Sequence, residues 1–144
     1  MLVKKTSFLL ILTLVISNIS FANTAVEEAA VKTVIEKYAA ATEAKDVSAL
    51  EDLFAKNAVI FRITLRGKEV IEYDQDAFTE QVKKGRLGGW KRDLEVQSVD
   101  VYDNTAVAKI KLTDKKLKQT EFLSFVKIDG VWKIVSCSLT REKA

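Results

Sequence analysis

The segment 122-FLSFVKIDGVWKIVSCSL-139 constrains the architecture of this chain more than any other. Two runs rich in β-branched and aromatic residues flank Asp129-Gly130, a pair suited to a tight turn with positive φ. The segment therefore reads as an antiparallel hairpin. A hairpin with one wet face has one polar set of alternating positions. Here both sets are apolar. Phe122, Val126 and Ile128 alternate with Leu123 and Phe125, while Val131, Val135, Cys137 and Leu139 alternate with Trp132 and Ile134. Both faces need a cover.

Helices supply the first cover. Between Ala25 and Ala44, Val26, Ala30, Val34, Tyr38 and Ala41 recur at helical spacing, widened by Val31 and Ile35, against Glu27, Glu28, Lys32, Glu36 and Lys37. Ser48 and Glu51 have capping-box spacing ahead of a short helix carrying Leu50, Leu53 and Phe54, with Asn57 as its stop. Strands are expected over 58–65 and 68–73 around an Arg66-Gly67 turn. Asp74 caps a third helix over 75–84 that ends at Gly85. Four strands follow, over 91–102, 105–112, 120–128 and 131–139, with a parity change at Gln97-Ser98 that predicts a bulge. Tight turns at Asp103-Asn104 and Asp129-Gly130 join them as an antiparallel meander. The fold class is α+β, with three helices in the N-terminal half packed on one face of a bent antiparallel sheet. A second copy of the chain is the simplest cover for the other face, because an isologous interface uses one apolar patch twice.

Residues 1–22 stand apart from this domain. Lys4 and Lys5 precede an apolar run, Phe8–Ile16, interrupted only by Thr13, and Ser20-Phe21-Ala22 places small residues where signal peptidase reads them. The run is short for a membrane span. The expectation is a secretory signal peptide cleaved after Ala22, or else after Ala25, and a mature domain over 23–144 in the periplasm or the medium. No cysteine lies nearby to carry a lipid anchor, so no membrane attachment is expected after cleavage.

Without Lys4 and Lys5, 21 basic residues face 20 acidic ones, a balance that gives no reason to expect a nucleic-acid partner. The chain has no proline, so no proline-rich linker divides it, and no histidine. Without histidine there is no Ser-His-acid or Cys-His catalytic set and no imidazole zinc site. The lone Cys137 rules out thiolate zinc sites and an intramolecular disulfide, and reads as a small buried hydrophobe. The acidic run 72-EYDQDAFTE-80 lacks the glycine and spacing of a calcium loop. No metal or other cofactor is expected.

The stretch 31-VKTVIEKYAAATEAKDVSALEDLFAKNAVIFRI-63, together with 123-LSFVKIDGVWKIVS-136, resembles the SnoaL-like part of the nuclear transport factor 2-like superfamily, and within it the small bacterial proteins called putative lumazine-binding. The shared features are a long helix with a mid-helix tyrosine, Lys-Asp-Val-x-x-Leu-x-x-Leu-Phe before a strand, and a closing hairpin with Lys-Ile-Asp-Gly-x-Trp-Lys-Ile-Val. The resemblance covers nearly the whole mature chain. It implies a cone-shaped, cystatin-like α+β barrel with a pocket between helices and concave sheet, often dimerised through the convex face. Such a fold hosts isomerases, dehydratases, hydrolases and plain binders, so it does not assign a function.

Ketosteroid isomerase is the relative with the clearest chemistry. Its enolate-stabilising tyrosine corresponds to Tyr38. Its aspartate base falls on Arg62, and its protonated aspartate falls near Ser124. A guanidinium stays charged and does not abstract a proton near neutral pH, so two of the three groups are missing.

The residues expected to line the pocket are Tyr38, Phe54, Arg62, Trp90, Ser124 and Trp132. Arg62 lies among Ile60, Phe61, Ile63 and Leu65, where a guanidinium would hold a carboxylate or phosphate in a bidentate grip. The competing role for Arg62 is an ion pair with Glu51, Glu72 or another nearby acid. The basic clusters 83-KKGR-86 with 91-KR-92, and 109-KIKLTDKKLK-118, read as solvated strand faces and a hairpin tip. The functional expectation is an exported, non-catalytic domain that binds a small molecule in a hydrophobic pocket. The alternatives are a cofactor-independent isomerase or dehydratase using tyrosine and carboxylate groups, or a dimeric protein–protein module. A buried acid opposite Tyr38 would favour the enzyme.

Overall fold

The computed structural model describes residues 4–64 and 69–144, with side chains from Asn23 onward. The side chains of the expected leader, and the expected turn at Arg66-Gly67, lie outside the described residues. Helix α1 (Lys4–Ala44) turns Val31, Ile35, Tyr38 and Thr42 inward at three- and four-residue spacing. That stripe is centred one position away from the expected one, and Val26 is left exposed. Lys45, at φ 57°, ends the helix, and Asp46 then caps α2 (Val47–Leu53) by accepting the Ala49 N–H at 3.0 Å. The cap is therefore Asp46 and not Ser48. The chain turns into strand at Phe54, before Asn57, so Phe54 is a strand residue.

Strand β1 (Phe54–Ile63) pairs with β2 (Val70–Asp74), and Asp74 then caps α3 (Gln75–Lys83) through the Ala77 N–H at 2.8 Å. Gly85, at φ 71°, follows the end of α3 as expected. Strands β3 (Asp93–Tyr102), β4 (Thr105–Thr113), β5 (Leu117–Ile128) and β6 (Val131–Lys143) form the antiparallel meander. The register slips between Val96 and Ser98, where the sequence predicts a bulge. The six strands lie in the order β2-β1-β6-β5-β4-β3. One pairing departs from the antiparallel expectation: β1 runs parallel to β6, which makes the sheet mixed.

A second slip at Ser124/Phe125 leaves Val135 as an extra residue in β6. It reverses the parity of everything after it. Cys137 and Leu139 therefore face inward with Trp132 and Ile134, not outward with Val131. The inner face packs on α1, whereas Val107, Phe122, Ile128 and Val131 on the other face stay about half exposed. Among the described residues, no helix is long and apolar enough to cross a membrane.

Candidate functional site

Strand parity carries polar side chains into the core at one end of the sheet. Along β5, Gln119 and Glu121 share the inward set with Leu123 and Phe125, and along β6 Arg141 continues the inward set of Cys137 and Leu139. Gln119 pairs directly with Arg141 across the two strands, and on the neighbouring strand Arg62 pairs with Leu139. Gln119 and Arg141 thus lie side by side on the inner face, with Arg62 two positions away on the same face.

These groups form a directed chain. Arg141 Nε donates to Gln119 Oε1 at 2.5 Å, and Gln119 Nε2 donates to Glu121 Oε1. Glu121 Oε2 accepts from the Tyr38 hydroxyl at 2.9 Å and from Cys137 Sγ at 3.3 Å. The amide of Gln119 is thereby fixed in orientation, with its oxygen toward the guanidinium and its nitrogen toward the carboxylate. Glu121 is fully buried, and an acid removed from water needs such donors. Burial first, and the charge of Glu121 second, push the Tyr38 phenol well above its ordinary range. The same two causes, in the same order, push up the Cys137 thiol.

At the outer end of this chain lies Trp90. The Cζ atoms of Arg92 and Arg141 each stand 5.5 Å from its ring centroid, and Arg141 Nη1 also reaches the Arg86 carbonyl at 3.4 Å. Burial, together with the charges of Arg92 and Arg62, holds the Arg141 guanidinium below its ordinary value. A recess of about 540 Å³ opens beside Trp90, lined by Lys91, Asp114, Lys115, Lys116 and Leu117. The glycines at 88 and 89 bring this loop onto α1. Gly89 N donates to the Thr42 carbonyl at 3.0 Å, and a Cβ on Gly88 would overlap that same oxygen.

The six expected pocket residues do not form one site. Arg62 and Trp90 lie at this end of the sheet, with Tyr38 buried behind them. Phe54 is packed edge-to-face between Tyr38 and Phe78, with centroids at 6.0 and 5.6 Å, and belongs to the core. Ser124 pairs with Val107 and Ser136 on the outer face, where it lines a different recess of about 280 Å³. Trp132 sits at the hairpin tip, nine residues along β6 from Arg141, roughly 30 Å at strand rise. There its Nε1 donates to Glu27 Oε2 at 2.8 Å, and Lys127 holds Glu27 Oε1 at 2.6 Å. Trp132 also lines a groove of about 540 Å³ with Val34, Ala41, Leu53 and Val131. The aspartate site carried over to Ser124 is thus on the wrong face, and Glu121 is the acid that meets Tyr38.

Among the described residues Arg62 forms a salt bridge with neither Glu51, Glu72 nor any other acid. Glu72 pairs with Phe61 on the opposite face, and the two salt bridges among the described residues are Lys84–Glu80 and Lys127–Glu27. The reading of the basic run 91–92 as solvated fails for Arg92, which lies against Trp90. Continuing the alternation from Leu123 back to Gln119, and from Leu139 on to Arg141, was the signal that locates the missed residues. No cluster of acids and cysteine among the described residues is arranged to hold a metal ion.

The fold is shared with proteins of known structure. The chain is similar to a nuclear transport factor 2-like protein of unknown function from Silicibacter pomeroyi DSS-3, at 24% identity and TM-score 0.72, covering 81% of this chain and 96% of that one. A similar protein of unknown function from Shewanella baltica OS155 gives 18% identity and TM-score 0.71, with 81% and 94% covered. A cystatin-like fold protein from Burkholderia xenovorans LB400 gives 18% identity and TM-score 0.64, with 81% and 92% covered. No curated protein matches the chain. The family model described as putative lumazine-binding matches residues 26–138.

Proposed function

The chain belongs to the putative lumazine-binding family of nuclear transport factor 2-like proteins, and we propose that it serves as an exported, non-catalytic binder of a small, mostly apolar organic molecule. The observation that carries this reading is the buried chain Tyr38–Glu121–Gln119–Arg141, which ends beside Trp90. A core of this size gains no stability from a buried acid that apolar residues of similar volume would not supply. Its use here is to hold Arg141 in one orientation at the rim, as supporting hydrogen bonds do for site residues generally. The leader-like residues 1–22 favour export to the periplasm or the medium. The half-exposed outer face of the sheet favours a homodimer, with a second copy over Val107 and Phe122.

A catalytic reading has one observation in its favour, the buried acid opposite Tyr38. A general base must reach the proton it removes. Glu121 is fully buried and accepts from three side chains of the protein, and the Tyr38 hydroxyl is spent on Glu121. That closure favours binding over turnover. Equilibrium dialysis of the protein against a small-molecule extract of the cell that makes it separates the two. Binding enriches one component and returns it chemically unchanged. Depletion of a component with formation of a product, abolished in Glu121→Gln, identifies an enzyme instead.

A further inference from the structure

The charges of Arg62 and Arg92 both act on the Arg141 guanidinium at this end of the sheet, and each of the three arginines keeps one buried nitrogen without a hydrogen-bond partner among the described residues: Arg62 Nε, Arg92 Nη1 and Arg141 Nη2. Buried donors are ordinarily paired, so three orphans in one place call for an explanation. The acids whose charges act on this cluster do not provide it. Glu121 is taken by Tyr38, Cys137 and Gln119, while Asp114 Oδ1 accepts the backbone N–H groups of Lys116 and Leu117 at 2.7 and 2.9 Å. Nor do ion pairs provide it, since none of the three arginines is in a salt bridge among the described residues. Lys91, Lys115 and Lys116 line the adjoining recess, so the approach to the cluster is cationic as well.

We propose that Arg62, Arg92 and Arg141 form an anion subsite for the carboxylate or phosphate group of an organic ligand whose apolar body lies along Trp90. The subsite rests on the binding function above and names the ligand's chemical class. Planar guanidinium forks match carboxylate and phosphate geometry, and an oxyanion offers acceptors to all three orphan donors at once. Gln119, locked between Arg141 and Glu121, keeps one fork aimed without consuming its Nη2. The local excess of positive charge is then relieved by the ligand and not by the protein.

The test uses benzoate and phenyl phosphate beside neutral benzyl alcohol and inorganic phosphate, titrated into the full mature chain at fixed ionic strength and followed by calorimetry. Both organic anions are expected to bind at least tenfold more tightly than benzyl alcohol, and Arg62→Gln and Arg92→Gln each to weaken them at least tenfold. Arg62→Lys recovers only part of that loss. In the absence of anion, each Gln variant melts at the same temperature as the parent or higher, because one of three mutually repelling charges is gone. A structural role for the arginines predicts a lower melting temperature and unchanged affinity in the folded fraction, and would overturn the subsite. Inorganic phosphate binding as tightly as phenyl phosphate supports the anion subsite and removes the organic body from it. Equal binding of benzoate and benzyl alcohol, insensitive to both substitutions, sinks the anion subsite while leaving small-molecule binding intact.

Discussion

The Tyr38 hydroxyl and the Glu121 carboxylate, 83 residues apart in sequence, meet at 2.9 Å in the core. The bond ties α1 to β5 and fixes the inner end of the polar chain that reaches Arg141. Tyr38→Phe should therefore lower unfolding stability by about 1–3 kcal/mol, the range for a hydrogen bond whose loss leaves a buried acceptor short. Urea denaturation of parent and variant measures it, and a change within error would mean that Glu121 is satisfied without Tyr38.

The same phenol predicts a pH dependence. Its proton is held in the folded state above the unfolded value of about 10, so the folded protein binds more protons in alkali and loses stability as pH rises past that value. Below it the contribution is fully present. A difference absorbance titration between parent and Tyr38→Phe should show no phenolate from Tyr38 near pH 10 until the protein unfolds.

Cys137 shares the buried acid and should be inert. Burial and the nearby Glu121 charge both disfavour its thiolate, which is the reactive form. The expected outcome is negligible labelling by iodoacetamide in the folded protein and full labelling in denaturant. Rapid labelling under native conditions would show that the core end of the site opens.

Gly88 is the steric hinge of the loop that carries Trp90. Gly88→Ala must push the loop away from the Thr42 carbonyl, which should cost about 1–3 kcal/mol, as overpacking does, and shift the Trp90 fluorescence. A variant with parental stability and emission would mean that the loop rides free of α1.

Much of this fold was legible in the sequence because its punctuation is local. Asp74 as a cap, the bulge at Gln97-Ser98 and the Asp129-Gly130 turn each depend on a few adjacent residues. The extra residue at Val135 was not legible, since nothing in 131-VWKIVSCSL-139 breaks the apolar pattern at which parity turns over. The parallel β1–β6 pairing depends on long-range packing that no local signal reports. For the site, Arg62 and Trp90, two of the six residues expected to line a pocket, fall at one end of the sheet, whereas Arg92 sits in a run read as solvated and Gln119, Glu121 and Arg141 drew no expectation because they are polar residues at or beyond the ends of the apolar strands. Their burial follows only from strand parity carried past the apolar core.

The outer face offers a test of assembly. Val107 and Phe122 are each 55% exposed on a sheet face that also carries Ile128 and Val131. Sedimentation velocity at tens of micromolar should give a dimer for the parent and a monomer for Phe122→Glu. A monomeric parent would leave this face without a second copy as its cover.

Binding of a small organic molecule at the arginine and tryptophan end of the sheet is tested most directly by native mass spectrometry of the protein recovered from the cell that makes it. Small-molecule binding predicts a folded species heavier than its own unfolded polypeptide by one discrete small mass. That mass should be released on unfolding and be absent from an Arg62→Gln, Arg92→Gln double variant that still folds. A folded protein with the bare polypeptide mass, or an added mass that persists unchanged in the double variant, would contradict it.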